Sequence, residues 1–391
     1  MSDSHLERTR TPRQQGLLDK FYKMLKVMAD KKGTDMFITT GMQPSMKLNG
    51  ELVPLANSAL TPDMARDLVF GVMNAEQEQE FLEHRECNFA LSASGVGRFR
   101  VSAFYQRNQG GMVLRRIEFE VPRLENLDLP EKVSELAMEK RGLILFVGAT
   151  GTGKSTSLAA MIQHRNENSR GHIICIEDPI EFIHQHKNSI VTQREVGIDT
   201  ESYEIALKNT LRQSPNVIMI GEVRSSQTME YALAFAETGH LCLATLHANN
   251  ANQALERVIN FFPPEKHNQL WMDLSLNLKA IVAQQLVPTP DGKGRKGVIE
   301  ILLNTPLVSD MIRKGDVQGL KEVMAKSTEL GMQTFDQALY ELYKKEQITY
   351  DDALAYADAP NDLRLMIKLG TSKKGEPSRF GDSGDQFTLA D

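Results

Sequence analysis

Residues 148–156 read GATGTGKST, and they stand between the apolar run LILFV (143–147) and the helical stretch SLAAMIQHR (157–165). The stretch fits the phosphate-binding pattern G-x-x-x-x-G-K-[ST], which requires a strand before the loop and a helix after it. Glycines let the backbone come close to phosphate oxygens, so that backbone N–H groups and the amino end of the helix can donate to them. The sequence therefore predicts a nucleotide-binding loop inside an α/β domain.

Two residues of this loop have individual roles in the prediction. Lys154 is expected to reach the β- and γ-phosphates of ATP, and the Ser155 hydroxyl is expected to bind Mg²⁺. A glycine-rich turn without a ligand is the alternative, which the flanking strand and helix patterns disfavour. The residues predicted to bind the nucleotide are Gly148, Ala149, Thr150, Gly151, Thr152, Gly153, Lys154, Ser155 and Thr156. ATP and Mg²⁺ are therefore the expected cofactors.

The apolar runs around the loop predict a parallel sheet. They alternate with helical stretches at 201–212, 227–237 and 252–260. The runs are LILFVG (143–148), IICIED (173–178), VIMIGE (217–222) and LCLATLHA (241–248). Continuous apolar strands between helices are typical of a parallel sheet that helices cover on both faces. Right-handed crossovers then give a three-layer α/β domain.

Acidic residues follow two of these runs. Glu222 ends VIMIGE, where a strand-end acid beside a phosphate loop holds Mg²⁺ or polarises the attacking water. The alternative for Glu222 is an acid that caps the amino end of a helix. Glu177, Asp178 and Glu181 follow the second run, either as a cluster that faces the nucleotide or as an exposed loop.

Two histidines, His240 and His247, flank the strand-like run LCLATL (241–246). A histidine can donate a hydrogen bond to a terminal phosphate, but a histidine at a strand end is often structural. Chemistry alone leaves both interpretations open.

The N-terminal part has a different pattern, which favours a small α+β domain. Apolar residues three or four apart predict a helix over 17–28. Asn49-Gly50 between two apolar runs predicts a type I′ hairpin, because both residues tolerate positive φ. RFRVSAFYQ (98–106) is predicted to be a strand. A short Asn/Gly-containing loop connects it to the returning segment MVLRRIEF (112–119).

Composition narrows the class of protein. With 41% hydrophobic and 25% charged residues, the 391-residue chain has the composition of a globular protein, and its length favours two domains. The formal charge of -6 argues against nucleic acid as a partner, because phosphate binding usually goes with a basic excess. Cys175 and Cys242 lie in apolar runs, where buried thiols and a reducing compartment are expected. No run reaches the ~20 apolar residues of a membrane span, and no signal segment is apparent.

Four segments in order resemble the Walker A, Asp-box, Walker B and His-box motifs of secretion and pilus ATPases. The segments are GATGTGKSTSLAAMI (148–162), IEDPIEF (176–182), LRQSPNVIMIGEVR (211–224) and ETGHLCLATLHANNA (237–251). Two further segments, GRFRVSAFYQR (97–107) and QQLVPTPDGKGR (284–295), are similar to the PilT/PilU family of type IV pilus retraction (twitching motility) ATPases. ELGMQTFDQALYELY (329–343) and DALAYADAPNDLRLMIKLG (352–370) point to the PilU branch of that family.

The resemblance implies a fold and a division of the chain. It implies an α/β protein with a PAS-like α+β N-terminal domain, a RecA-like P-loop ATPase domain and a helical C-terminal extension. The expected segments are a disordered N-terminus (1–16), the N-terminal domain (17–121), a linker (122–130), the ATPase domain (131–305), the helical subdomain (306–370) and a disordered tail (371–391). A homo-hexameric ring with the nucleotide at the cleft between the domains is also implied.

The resemblance also implies roles for individual residues. It implies Glu222 as the Walker B acid, Glu181 as the acid that readies the attacking water, and His240 and His247 as the His-box residues. Arg100 and Arg115 are the implied arginines that reach the phosphates, where they would neutralise charge on the transferring group. The pattern alone does not separate this role of Arg100 from that of an outward-facing strand residue.

Departures from the PilT pattern favour an accessory role. Aspartates usual around the Walker B strand are replaced by Ser214, Asn216 and Ser225, and LVSDMIRKG (307–315) stands where PilT-like motors carry an AIRNLIRE-like helix. The departures fit an accessory motor that works with a PilT-like retraction ATPase. The resemblance implies that the protein acts in the cytoplasm, at the face of the inner membrane. There it would bind the pilus platform protein, without a membrane span of its own.

Two other functions remain as alternatives. A pilus-assembly or type II secretion ATPase of the same superfamily is disfavoured, because such proteins usually carry longer N-terminal domains and often a four-cysteine zinc element. A RecA-like DNA-dependent ATPase is disfavoured by the acidic balance and by the absence of an aromatic–basic strip in the sequence.

Removal of residues 375–391 is expected to leave the fold and ATP hydrolysis unchanged. The segment TSKKGEPSRFGDSGDQ (371–386) is polar and rich in Gly and Ser, so it cannot bury enough apolar area to offset the entropy lost on ordering. Thermal unfolding and ATPase assays of a chain truncated after Lys374 check this. A melting temperature lowered by several degrees would contradict the prediction.

Overall fold

The computed structural model describes residues 11–117 and 120–371, which form two β-sheets of six and seven strands. The segments predicted to be disordered, 1–16 and 371–391, lie mostly outside the described residues. At the N-terminal end, α1 (Pro12–Asp30) already begins at Pro12, before the predicted helix start at residue 17. Thr11 accepts from the Gln14 N–H in a capping box, and Pro12 occupies the first turn, so this start has local causes.

The N-terminal sheet is antiparallel, with the strand order β3-β2-β1-β6-β5-β4. Its strands are β1 (Asp35–Ile38), β2 (Ser45–Leu48), β3 (Glu51–Pro54), β4 (Glu86–Ala93), β5 (Gly97–Gln106) and β6 (Gln109–Arg116). Besides α1, the helices α2 (Pro62–Gly71) and α3 (Ala75–His84) pack against it. Phe21 and Phe81 from the helices and Phe99 from the sheet are fully buried in one core.

Two-residue turns set the register of this sheet. Asn49 and Gly50 have φ of 51° and 91° between the paired residues Leu48 and Glu51, which confirms the predicted type I′ hairpin. The second hairpin also has a two-residue turn, at Arg107-Asn108. The glycines expected in that loop instead belong to β6.

The larger sheet has the order β13-β12-β7-β11-β10-β8-β9 and is parallel except for the pair β12–β13. Its strands are β7 (Gly142–Val147), β8 (His172–Glu177), β9 (Ile190–Glu195), β10 (Val217–Ile220), β11 (Leu241–Leu246), β12 (Leu278–Pro288) and β13 (Arg295–Leu303). Every residue of β7, β10 and β11 is buried, and so are Cys175 and Cys242, as predicted. The predicted parallel sheet is confirmed.

Helices cover both faces of this sheet. On one face, α4 (Glu131–Ala137) and α5 (Lys154–Asn168) pack on alternate residues of β7, such as Ile144 and Phe146. The other face carries α6 (Tyr203–Thr210), α7 (Ser226–Glu237), α8 (Ala251–Asn260) and α9 (His267–Asn277). The predicted three-layer arrangement is confirmed.

The C-terminal part is helical, as expected, and it shares the second core. Its helices are α10 (Pro306–Lys314), α11 (Leu320–Lys326), α12 (Phe335–Lys344), α13 (Tyr350–Ala355) and α14 (Pro360–Thr371). Ile312, Phe335 and Leu339 lie in the same buried cluster as Leu255 and Val258 of α8. Across residues 11–117 and 120–371, no helix is both long enough and apolar enough to cross a membrane.

Candidate nucleotide-binding site

The phosphate loop leaves the carboxyl end of β7 and enters α5. Gly151 and Gly153 have φ of 80° and 88°, in the left-handed region that glycine adopts without strain. Gly153 is the N-cap of α5, and no side chain in the described part of the chain caps this helix. The free N–H groups of the first turn therefore face the loop, as anion binding requires.

The Lys154 ammonium lies over this loop and near two acids. Its Nζ donates to the carbonyl oxygens of Gly148 and Ala149 at 2.7 and 2.8 Å. Burial lowers the pKa of Lys154, and the negative charges of Glu222 and Glu181 oppose that shift. The structure thus brings the loop lysine together with both predicted acids.

Glu222 follows β10, and its carboxylate is held from two sides. His247 Nε2 lies 3.0 Å from Oε1 of Glu222, and Arg224 donates from Nε to Oε2 at 2.6 Å. Arg224 also places Nη1 3.3 Å from Oδ2 of Asp178, at the end of β8. The carboxyl ends of three neighbouring strands, β8, β10 and β11, thus meet in one ionic cluster.

Glu177, the last residue of β8, is a partly buried acid beside Glu181 and Glu195. Burial raises the pKa of Glu177 to about 7, although the Gln193 amide donates to its Oε1 at 2.9 Å. Glu181 and Glu195 raise it further, because like charges disfavour ionisation. Of the three acids predicted to form a cluster, Glu177 and Asp178 are partly buried, and Glu181 is exposed.

The oxygen atoms that could hold Mg²⁺ come from the loop and from β10. Ser155 is exposed in the first turn of α5, and hydroxyl and carboxylate oxygens such as those of Ser155 and Glu222 are the ligands that Mg²⁺ prefers. Among the described residues, no group of three or more His, Cys, Asp or Glu side chains is placed to hold a metal. The residues therefore fit an ion that takes its remaining ligands from nucleotide phosphates and water.

A cleft of about 590 Å³ opens beside the loop, within the size range of small-ligand sites. Ala149 and His247 line it on one side, and Gln253, Arg257 and Phe261 line it on the other. The cleft leads from the phosphate loop along α8.

His240 and His247 lie at the two ends of β11, as the sequence predicts. His240 precedes β11, and its backbone oxygen accepts from the Gly142 N–H, at the start of β7. The six residues of β11 separate it from His247 by roughly 20 Å, at ~3.3 Å per residue. Its ring contacts Thr238 Oγ1 at 3.1 Å. Within one chain His240 is therefore not part of the site that contains His247, because the two ends of a strand lie at opposite edges of a sheet.

Arg100 and Arg115 are cross-strand neighbours on β5 and β6 of the N-terminal sheet. Arg115 pairs with Asp35 at 2.8 Å within the N-terminal sheet. Arg100 acts electrostatically on Glu195, at the end of β9. Four strand spacings separate β9 from β7, roughly 19 Å at ~4.8 Å each. The arginines and the loop of one chain therefore do not meet in this arrangement.

Gln284 on β12 supports the loop, although sequence reasoning gave it no role. Its Oε1 accepts from Ser157 at 2.8 Å, and both residues are buried. A Cβ atom at Gly153 would lie 2.8 Å from Gln284 Nε2, and one at Gly148 would lie 2.5 Å from the Gln284 carbonyl oxygen. A side chain at either position would collide with Gln284, so both positions require glycine. The only sequence signal is a polar residue within an apolar strand.

Tyr203 was also missed. Its hydroxyl is buried and, among the described residues, has no hydrogen-bond partner. A Cβ atom at Gly221 would lie 2.8 Å from this oxygen, so the hydroxyl lies directly under the turn that leads to Glu222. Burial and the nearby charge of Asp178 raise the pKa of the Tyr203 hydroxyl. Tyr203 begins α6 among polar residues, which left no pattern to detect.

Residues 86–347 match the family model described as type II/IV secretion system protein. The type IV pilus ATPase PilU of Pseudomonas aeruginosa is 69% identical over 357 residues, which cover 91% of this chain and 94% of that protein. The type IV pilus retraction ATPase PilT of the same organism is 36% identical over 341 residues, or 87% and 99% of the two chains.

A solved structure is similar over nearly the same length. The crystal structure of the pilus retraction motor PilT with bound ADP superposes with a TM-score of 0.83 at 39% identity. The superposition covers 88% of this chain and 99% of that one.

Replacement of Glu177 by Gln should stabilise the protein at pH 8, and by less than half as much at pH 5.5. The pKa of Glu177 is about 7 when folded, above the ordinary value of 4.5, so the folded chain holds a proton that the unfolded chain releases between these values. The free energy of unfolding therefore falls as pH rises through this window, by on the order of 3 kcal/mol. Gln cannot ionise, and its carbonyl can still accept from Gln193.

Melting temperatures of Glu177→Gln and the natural protein at the two pH values measure this difference. Glu201→Gln, at an exposed position, is the matched control and should shift the melting temperature little at either pH. An equal shift for Glu177→Gln at both pH values would contradict the assignment of a buried ionised carboxylate.

Proposed function

The chain belongs to the type II/IV secretion system protein family, and on that premise we propose that it is an ATP-hydrolysing motor of type IV pilus retraction. It works as an accessory to a PilT-like retraction ATPase. The proposal of ATP hydrolysis rests on one observation, that Lys154, Glu222 and His247 lie together at one edge of the parallel sheet. Similarity to pilus ATPases over most of the chain supports the pilus as its load.

The loop and α5 bind the phosphates of ATP in this proposal. The N–H groups at the amino end of α5 donate to phosphate oxygens, and the helix dipole favours their negative charge. Lys154 exchanges its contacts with the Gly148 and Ala149 carbonyls for phosphate oxygens. Because the ammonium is partly buried, its charge acts on the phosphates with little screening by water.

Hydrolysis is assigned to the acids beside Lys154. Mg²⁺, when bound, neutralises phosphate charge, and the Ser155 hydroxyl and the Glu222 carboxylate are the side chains that would hold it. Glu181 orients the attacking water and accepts its proton. In this proposal His247 fixes the orientation of Glu222 through their 3.0 Å contact and donates to the terminal phosphate.

Arg100 and Arg115 complete the site from a second surface. Charge on a transferring phosphoryl group is stabilised strongly by an arginine. Since both arginines lie away from the loop of their own chain, a neighbouring subunit in a homo-hexameric ring supplies them. The ring acts at the cytoplasmic face of the inner membrane, on the pilus platform protein.

Lys154→Ala and Glu222→Ala should each lose ATP hydrolysis while remaining folded. Each variant removes a charge that faces phosphate, metal or water, so the barrier should rise by several kcal/mol, on the order of a 100-fold or greater loss of kcat. Steady-state phosphate release and thermal unfolding of the purified variants measure both effects. Lys266→Ala and Glu230→Ala, an exposed ion pair on another face, are matched controls that should stay within twofold. Turnover at the rate of the natural protein in either variant would contradict the assignment of Lys154 and Glu222 to the site of hydrolysis.

A mixture of Arg100→Ala and Glu222→Ala chains should recover part of the activity that each lacks alone. If the arginine acts on the neighbour's nucleotide, some interfaces in a mixed ring pair an intact arginine with an intact acid. Phosphate release is measured after subunit exchange, which mass measurement verifies. A mixture of Lys154→Ala and Glu222→Ala is the control and should recover nothing, because both residues belong to the same side of the interface. No recovery in exchanged Arg100/Glu222 rings would favour an arginine from the same chain, and robust activity of Arg100→Ala alone would exclude both arrangements.

A further inference from the structure

Glu300 is a fully buried carboxylate on β13 that joins two helices. Its Oε1 accepts from the Ala251 N–H at 2.8 Å, at the amino end of α8. Its Oε2 accepts from the Phe335 N–H at 3.4 Å, at the amino end of α12. The positive ends of two helix dipoles therefore meet on one carboxylate, which otherwise would be costly to bury.

The first of these helices, α8, begins just after residues 247–250, which we call the His247 loop. Only three residues separate His247 from Ala251, and the last of them, Asn250, is the N-cap of α8. The Asn250 side chain accepts from the Gln253 N–H and donates to Asp358 Oδ2 at 3.3 Å. The far end of the His247 loop is thus fixed by Glu300 and Asp358, neither of which belongs to the nucleotide site.

The second helix belongs to the C-terminal part. Asp336, in the first turn of α12, accepts from the N–H groups of Asp358 and Ala359, and Lys321 of α11 forms an ion pair with Asp358. The charged groups that act on Glu300 are Lys321, which favours its ionised form, and Asp358, which disfavours it. The C-terminal helices and the His247 loop are therefore held to one polar cluster that contains Glu300, Asp336, Asp358 and Lys321.

We propose that Glu300 is a positioning residue for ATP hydrolysis, which ties the His247 loop to the C-terminal helices and so lets force on those helices change the placement of His247. The inference rests on the proposed role of His247 at the nucleotide. A carboxylate is needed because it accepts from both helices at once. An amide has only one acceptor oxygen and leaves one of the two helices without its contact.

Glu300→Gln should therefore impair turnover without impairing nucleotide binding. We expect kcat to fall about tenfold, while the Kd for a fluorescent ADP analogue stays within twofold, since the phosphate loop is unchanged. In a His247→Ala background the same substitution should change kcat less than twofold, because its effect passes through the missing imidazole. Steady-state kinetics of the natural protein, both single variants and the double variant complete this double-mutant cycle.

Thr349→Ala is the matched structural control. Thr349 caps α13 in the same C-terminal part and makes its cap contact with Asp352, away from α8. It should lower the melting temperature and leave kcat within twofold. If Glu300→Gln does not fold, Ala251→Pro removes the α8 donor instead, at a helix position where proline is tolerated, and should show the same separation of kcat from ADP affinity.

Equal reduction of kcat by Glu300→Gln in both backgrounds would overturn the proposal and leave His247 in the site. So would a loss of kcat in Thr349→Ala as large as in Glu300→Gln. Natural turnover in His247→Ala alone would instead remove the histidine from the proposed site, and the link to Glu300 with it.

Discussion

The burial of β7 between β11 and β12 is the constraint on which the site depends. All six residues of β7 are buried, so its backbone groups must be paired by neighbouring strands on both sides. Parallel pairing then brings the carboxyl ends of β7, β11, β10 and β8 to one edge of the sheet. The phosphate loop, His247, Glu222 and Glu177 come from four separate segments, and this ladder is what assembles them.

The same edge concentrates negative charge. Glu177, Glu222 and Asp178 lie at the ends of adjacent strands, and Lys154 and Arg224 are fixed cations beside them. Partial burial raises the free energy of these ionised carboxylates, and the pKa of Glu177 is raised for this reason. A site with excess acid and open helix N–H groups favours a ligand that combines phosphates with a cation, which is consistent with the proposed Mg²⁺–ATP.

Local signals made part of the fold predictable from sequence. The phosphate loop, the Asn49-Gly50 turn and the alternation of apolar strands with helices each depend on a few adjacent residues, and all were found where expected. The distance of His240 from the loop of its own chain was not predictable, since periodicity gives a strand without saying which end faces the ligand. Gln284, Tyr203 and Glu300 were missed because each acts through partners distant in sequence, as in the contact of Gln284 with Ser157. The relation of Arg100 to the loop depends on two separate sheets, which no local pattern encodes.

The two sheets have separate hydrophobic cores, one built from residues 18–114 and the others from residues 124–367. Within residues 11–117 and 120–371, no buried apolar residue belongs to both sets of cores, and Arg98 and Arg100 act on Glu195 through charge. Electrostatic contacts between rigid bodies can be exchanged without repacking either interior. A change in the relative position of the two parts therefore requires the exchange of surface charge contacts but no repacking of either core.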